Sequence, residues 1–344
     1  MANVLIVIPD HEYGGEENRS HRIYRGLKEK GHSVTFVSSD TQYEFDGGDF
    51  SRFPGLDNWL LLPINIIKLI FLVRKRQFDV VLLFKRKSGF IGWVLEKFCG
   101  QTKFVFNVAN AWQGKKFLWD YLPAHICTLS MRLVPERVIK KKLVTEIKIG
   151  VPLLAIEDEV GEPLACSEQI RLISAGKLNY QKNHFKMIDV AKELIDRGHK
   201  VLVDIAGDGP NRDQLSNMAE KLGVSLQLRG QVSNMHEFYC LGGVYLQVSN
   251  FEGMPNALLE AGQYRIPIVA NAVGATEDIV RDDTGWIVKS GDVRDYANAV
   301  ESVINTSNDT KNKTSRMKAL VAAEHDVAAM CSGYSQYISN ISGD

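Results

Sequence analysis

Cysteine is scarce and scattered: Cys99, Cys127, Cys166, Cys240 and Cys331 are the five in 344 residues, with no C-x-x-C pair and no His-rich segment as a partner. That pattern argues against a zinc site or a disulfide framework and fits a reducing cytoplasm. The first apolar run, "VLIVIP" from Val4, has no basic stretch before it and no cleavage site after it, so it reads as a buried strand and not as a secretory leader. Nor does any run reach the about 20 apolar residues of a membrane span. The greasiest, "NWLLLPINIIKLIFLV" (58–73), is interrupted by Pro63, Asn65 and Lys68. It is expected to be either a buried helix or a helix lying on a membrane surface.

Net charge is also absent overall, but not locally. Residues 59–150 hold 17 Lys and Arg against 5 Asp and Glu, while 1–58 and 151–344 are both acidic. The basic runs "RKR" (74–76), "KRK" (85–87), "KK" (115–116) and "KKK" (140–142) lie close to the greasy segment. Together they point to an anionic membrane surface as a partner.

What is present in quantity is a repeated alternation. Short runs that are apolar throughout, at 4–9, 33–38, 79–84, 103–108, 170–176, 200–207, 225–230, 243–249 and 266–271, are separated by helical patterns. Strands of that kind form parallel sheets covered on both faces. "LKEKGHSVTFVSS" (27–39) and "LIDRGHKVLVDIAG" (194–207) each end a helix at a Gly and begin a strand. The echo predicts two similar doubly wound domains. The acidic stretch around 156–168 reads as their linker, which divides the chain into 1–155 and 169–315. Residues 316–344 form a last helical segment.

"FEGMPNALLEA" (251–261) carries the first chemistry. Pro255 suits the first turn of a helix. Glu252 is then expected in the loop after a strand, and Glu260 little more than one turn into the helix. Between them Gly253, followed by Met254, lets backbone approach a ligand, and the N–H groups of Asn256, Ala257 and Leu258 make an anion site. Carboxylates accept hydrogen bonds from sugar hydroxyls with charge assistance. Two acids around a phosphate-binding helix start therefore describe a nucleotide-sugar; the plainer alternative is an N-capping region and a surface Glu. "SAGKLNYQKNH" (174–184) places Lys177 and Lys182 at the carboxyl edge of the second sheet, where they can neutralise a departing nucleoside diphosphate.

"GKLNYQKNH", "IAGDGP", "LRGQVSNM", "YLQVSNFEGMPNALLEA", "RIPIVANAVGATEDIV" and "TGWIVKSGD" follow one another in an order and spacing that resemble the retaining glycosyltransferases of family 4, the glycosyl transferases group 1. The resemblance covers nearly all of 170–305. It implies the GT-B fold, two Rossmann-like domains facing each other across a cleft, with the last helix crossing back to the first domain. It implies that Glu252 contacts the transferred sugar, Glu260 the ribose, and Lys177 and Lys182 the diphosphate, with the base met near Val232. More loosely, "YGGEENRSHRIYRGLKEKGHSVTFV" (13–37) resembles the family's Gly-Gly loop, which sets Gly14 and Gly15 opposite the diphosphate. Two positions depart from the family: Lys177 where Arg is common, and Asn107, or else Asn110, where many members have a His. An amide there could hold a donor hydroxyl but not exchange protons.

The activity implied is hexosyl transfer from a UDP- or GDP-sugar to a glycan or polyprenyl-linked acceptor in bacterial surface polysaccharide assembly. The site is cytoplasmic or peripheral on the inner membrane face, and no nucleic acid is involved. No D-x-D stands in a plausible site, and no metal and no cofactor beyond the donor is expected. An epimerase or hydrolase of the same fold, and a catalytically silent nucleotide-sugar-binding subunit, are the rivals. "GDGPNR" (207–212) lacks the third Gly of a dinucleotide fingerprint, Arg212 standing in its place.

Overall fold

A computed structural model describes residues 1–10, 14–41, 43–46, 48–110, 116–154 and 169–343. The expected linker at 156–168 lies outside them. The chain divides into an N-terminal unit, Met1–Gly150 with Asp326–Asp344, and a C-terminal unit, Val151–His325.

The N-terminal unit runs β1 (Asn3–Val7), α1 (Gly15–Glu29), β2 (Ser33–Ser38), β3 (Phe50–Arg52), α2 (Leu62–Arg76), β4 (Val80–Leu83), α3 (Lys85–Phe98), β5 (Lys103–Val108), β6 (His125–Thr128), α4 (Glu136–Ile139) and β7 (Leu143–Glu146). Its sheet is parallel in the order β3-β2-β1-β4-β5-β6-β7. The C-terminal unit runs β8 (Ile170–Ala175), α5 (His184–Asp196), β9 (Val201–Ala206), α6 (Arg212–Leu222), β10 (Ser225–Leu228), α7 (Met235–Cys240), β11 (Val244–Gln247), α8 (Asn256–Gln263), β12 (Ile268–Asn271), α9 (Thr276–Ile279), β13 (Trp286–Val288), α10 (Val293–Asn305) and α11 (Ser307–Glu324). Its sheet is parallel in the order β10-β9-β8-β11-β12-β13. The last helix, α12 (Val327–Ser342), belongs to the N-terminal unit. The expected boundary after residue 315 therefore falls inside α11, and the break between the last two helices comes at His325 and Asp326.

All nine apolar runs are strands, and their buried side chains explain the parallel pairing. Val4, Leu5, Ile6 and Val7 of β1 are wholly buried, as are Leu172 and Ile173 of β8. α5 turns Met187, Ile188, Ala191 and Leu194 inward at helical spacing onto Val203 and Ile205 of β9. Each such aliphatic side chain contributes on the order of 1.5–3 kcal/mol when fully buried. The two echoed turns are the same motif. Gly31 (φ +84°) and Gly198 (φ +95°) take the left-handed conformation after α1 and α5. His32 N–H donates to the Leu27 carbonyl and Gly31 N–H to Lys28, just as His199 donates to Leu194 and Gly198 to Ile195. This pair of bonds closes the helix end, and a side chain at either Gly would strain it.

Candidate functional site

Strand order reverses beside β8 in the C-terminal unit, so the loops leaving β8 and β11 open at the point where doubly wound sheets bind ligands. These loops are laced together. Asn250 N–H donates to the Gln181 carbonyl at 2.8 Å, and Asn250 Nδ2 to the Tyr180 carbonyl at 2.7 Å. They bring Lys182 and Glu252 into contact. Lys182 Nζ and Ser249 Oγ both donate to Glu252 Oε1, at 2.7 and 2.6 Å, and Glu252 is only 4% exposed. Lys177 differs: it is exposed, with no ion pair among the described residues. His184, behind Lys182, is buried, and that burial, with Lys182 adding repulsion, pushes its pKa down to about 3. It stays neutral, so the positive charge of this edge belongs to the two lysines.

α8 begins at Asn256, with Pro255 extended just before it rather than within its first turn. Leu258 and Leu259 N–H both donate to the Pro255 carbonyl, at 3.2 and 3.3 Å. The expected trio of donors is thereby reduced: Leu258 is engaged, and Asn256 and Ala257 remain at the helix start. No acid stands in the first turn to offset its positive pole. Glu260 follows within the second turn, half-buried, with Tyr239 Oη donating to its Oε2 at 3.1 Å. The Gly253 carbonyl accepts from Ala275 N–H at 2.9 Å, and Gly274 (φ +57°) packs close by, where a Cβ would run into the Glu252 carbonyl. Met254 is buried behind them, and Val232 lies in the loop between β10 and α7.

The corresponding edge of the N-terminal unit is built differently. Gly14 is extended (φ −177°), which any residue adopts, and the Glu17 carboxylate lies against it. Glu16 and Glu17 stand in the first turn of α1, so Gly14 meets a carboxylate rather than a free helix pole. Lys85 Nζ pairs with Asp10 and Glu17, at 2.6 and 2.5 Å, and its backbone N–H donates to Glu16 at 2.9 Å. Burial opposes the Lys85 charge, but these bonds outweigh it and hold its pKa up. Burial raises Glu16 above the usual carboxylate range, against the pull of that N–H. Lys85 itself is left-handed (φ +66°), a conformation that costs a non-Gly residue of order 1–3 kcal/mol and that its bonds to Asp10, Glu16 and Glu17 help hold.

Asn107 is corrected by its surroundings. It is 1% exposed. Its Oδ1 accepts from Tyr334 Oη at 2.6 Å and from Arg19 at 3.4 Å, and its Nδ2 donates to the Leu83 carbonyl at 3.2 Å. The amide ties α1, β4, β5 and α12 together and does not face a ligand. Asn110 is exposed beyond the end of β5.

α2 is not buried. Leu62, Asn65, Leu69 and Val73 are buried, while Leu60, Ile64, Ile67 and Phe71 are between 54% and 86% exposed on the opposite side. Trp59, 64% exposed, adds to that face under the Lys87 ammonium, 5.1 Å from its ring centre. Lys68 and Lys75 share the exposed side, and no acid occurs from Trp59 to Phe78. Among the described residues no helix is long and apolar enough to cross a membrane.

Sequence reasoning missed Ser249, Tyr239, Lys85 and Gly274. Ser249 stands three residues before Glu252 and could have been suspected; Tyr239, in "HEFYC", gives no such signal. Among the described residues no group of three or more His, Cys, Asp or Glu is arranged to hold a metal. The arrangement that does exist suits a polyhydroxyl anion: two lysines, a helix start and two carboxylates on one sheet edge.

Residues 156–319 match the family described as glycosyl transferases group 1. The chain is 32% identical over 124 residues, 35% of its length, to the amylovoran biosynthesis glycosyltransferase AmsD of Erwinia amylovora, and spans 34% of that protein. It is 23% identical over 270 residues to the UDP-Gal:alpha-D-GlcNAc-diphosphoundecaprenol alpha-1,3-galactosyltransferase of Escherichia coli, 70% of each chain. Anabaena HepE, solved with UDP and glucose, superposes with a TM-score of 0.80 over 99% of this chain and 100% of its own at 14% identity. Such a likeness establishes the fold, and the two parallel-sheet units are those of a GT-B protein.

Proposed function

We propose that the chain, whose residues 156–319 match the glycosyl transferases group 1, is a retaining glycosyltransferase moving a sugar from a UDP- or GDP-sugar to a glycan or lipid-linked acceptor. One observation carries this reading. Lys182 and Glu252 touch at the switch point of the second sheet, beside a helix start that no acid neutralises.

In this reading the diphosphate lies between Lys177, Lys182 and the N–H groups of Asn256 and Ala257. Glu260 takes the ribose hydroxyls. Glu252, held by Ser249, takes a hydroxyl of the transferred sugar and so orients the reacting carbon. The C–O bond to the diphosphate breaks, and the lysines stabilise the charge left on its oxygen. The acceptor hydroxyl enters on the same face, forms the new bond and gives its proton to that oxygen. These fixed cations supply the potential that a bound Mg²⁺ would otherwise provide, so transfer proceeds without a metal.

Bacterial surface polysaccharide assembly is the setting. Relatives named for amylovoran biosynthesis and for a diphosphoundecaprenol acceptor support it. The enzyme works at the inner membrane face, reversibly attached through the apolar, basic side of α2.

A thermal-shift screen of UDP- and GDP-sugars identifies the donor, because ligand binding to the folded chain raises its stability. Labelled donor is then incubated with and without membrane extract, in EDTA. Label should move to a lipid-extractable or glycan acceptor only when extract is present. Isomerised or hydrolysed donor without acceptor would make it an epimerase or hydrolase. Loss of transfer in EDTA, restored by a divalent cation, would overturn the metal-free mechanism.

A further inference from the structure

Glu260 projects from α8 on three rotatable bonds, and something must aim it. Tyr239 on α7 is placed to do so. Its ring is 2% exposed, packed against Tyr264 at 5.1 Å between ring centres, and the Tyr264 hydroxyl lies 3.0 Å from His236 Nδ1. From this fixed ring the hydroxyl reaches Glu260 Oε2 at 3.1 Å and the Ala257 carbonyl at 3.2 Å. Burial, with Glu260 adding to it, holds the phenol well above its ordinary pKa, so it remains a donor. A buried donor on one carboxylate oxygen sets the plane of the whole group, and it does so from the helix that follows the Val232 loop.

We infer that Tyr239 is a positioning residue that aims Glu260 at two neighbouring hydroxyls of a ribose, and so gives the site its preference for ribonucleotides. The inference rests on the nucleotide-sugar reading of this site. A site built around hydroxyl contacts rejects ligands that lack them.

Calorimetry on the full chain, with uridine and guanosine diphosphates and their 2′,3′-dideoxy analogues, tests it. The wild type should prefer one ribonucleotide over its dideoxy analogue by roughly tenfold or more, the value of hydrogen bonds to a charged group. Glu260→Ala should lose most of that preference. Tyr239→Phe keeps the buried ring and should lose at least roughly threefold of it through ribonucleotide binding alone, leaving the dideoxy affinity unchanged. The double variant should match Glu260→Ala in its preference, because the Tyr239 bond that bears on the ribose is the one to Glu260. A Tyr239→Phe protein that weakens both analogues equally, or keeps full preference while Glu260→Ala loses it, overturns the inference and leaves the functional reading standing. A wild type that binds neither diphosphate, or shows no preference, removes Glu260's role and the inference with it.

Discussion

The two units share one architecture and use its most receptive point in opposite ways. In the N-terminal unit the start of α3, just after β4, delivers Lys85 to Asp10 and Glu17, and the first turn of α1 holds two glutamates. In the C-terminal unit the loop after β8 delivers an exposed Lys177 and a Lys182 that contacts a single carboxylate, and α8 starts without an acid. Doubly wound topology therefore creates a place for an anion but does not by itself make the site. What decides is whether the chain's own carboxylates have already filled it.

The sharpest way to break this comparison is to remove one lysine from each edge. Lys182→Met should lower transfer by roughly 10²–10³-fold, the order expected for losing one preorganised contact to developing negative charge. Lys85→Met should leave nucleotide affinity intact and instead cost stability, about 1–3 kcal/mol for a partly screened pair. Turnover, calorimetry and urea unfolding on both variants check it. If Lys85→Met weakened the nucleotide as much as Lys182→Met does, the contrast between the edges would fail.

Within the C-terminal edge the two acids should fail differently. Glu260→Ala should weaken free nucleoside diphosphate by on the order of 1.5–3 kcal/mol. Glu252→Ala should leave that affinity nearly unchanged, because the free nucleotide carries no donor sugar, but should lower kcat. Calorimetry against turnover decides. The reverse outcome would exchange their roles.

A third test separates the units by pH. His184 is neutral in the folded chain with a pKa of about 3, whereas the unfolded chain protonates it near 6.5. Between those values the unfolded state binds more protons. The stability from the neutral imidazole is therefore full above about pH 7 and is lost as pH falls, at up to about 1.4 kcal/mol per pH unit. Urea unfolding at pH 7 and pH 5 should show the wild type losing about 2 kcal/mol more than His184→Gln does. Equal losses would mean that His184 already carries charge in the folded chain.

The C-terminal edge was more legible than the rest, for a physical reason. Lys177, Lys182 and Glu252 lie in two loops, and Glu260 in the helix that follows the second; the strands before those loops, wholly apolar, announce a parallel sheet, and parallel sheets present ligand residues at their carboxyl edges. Asn107 misled because position at a strand end does not reveal direction. Only tertiary packing brings Arg19 and Tyr334 onto its oxygen. The strands β3, β6, β7 and β13 escaped because three or four residues such as "HICT" or "FSR" carry too little periodicity to stand out. Tyr239 escaped because its contact joins helices 21 residues apart in sequence.

The smallest effect concerns the outer surfaces, where the units differ again. Of the 18 large apolar side chains exposed among the described residues, 14 belong to the N-terminal unit and 4 to the C-terminal one, and α2 with its preceding turn holds the densest group. Exposed apolar side chains on an acid-free helix favour the headgroup region of an anionic bilayer by two routes, burial of apolar area and attraction of cations such as Lys68 and Lys75. Salt separates these routes, since screening shortens the reach of exposed charges but does not weaken apolar burial. Phosphatidylglycerol-containing vesicles should therefore bind the full chain more tightly than pure phosphatidylcholine, and high salt should reduce that binding without abolishing it. Ile64→Ser/Ile67→Ser/Phe71→Ser should lower vesicle partitioning by about tenfold at both salt concentrations, with nucleotide affinity unchanged because the proposed contacts of Lys177, Lys182 and Glu260 lie in the other unit. Lys68→Glu/Lys75→Glu should remove mainly the salt-sensitive part. Equal partitioning of the triple variant and the wild type, or a wild-type dimer that the triple variant converts to a monomer, would assign this face to something other than lipid.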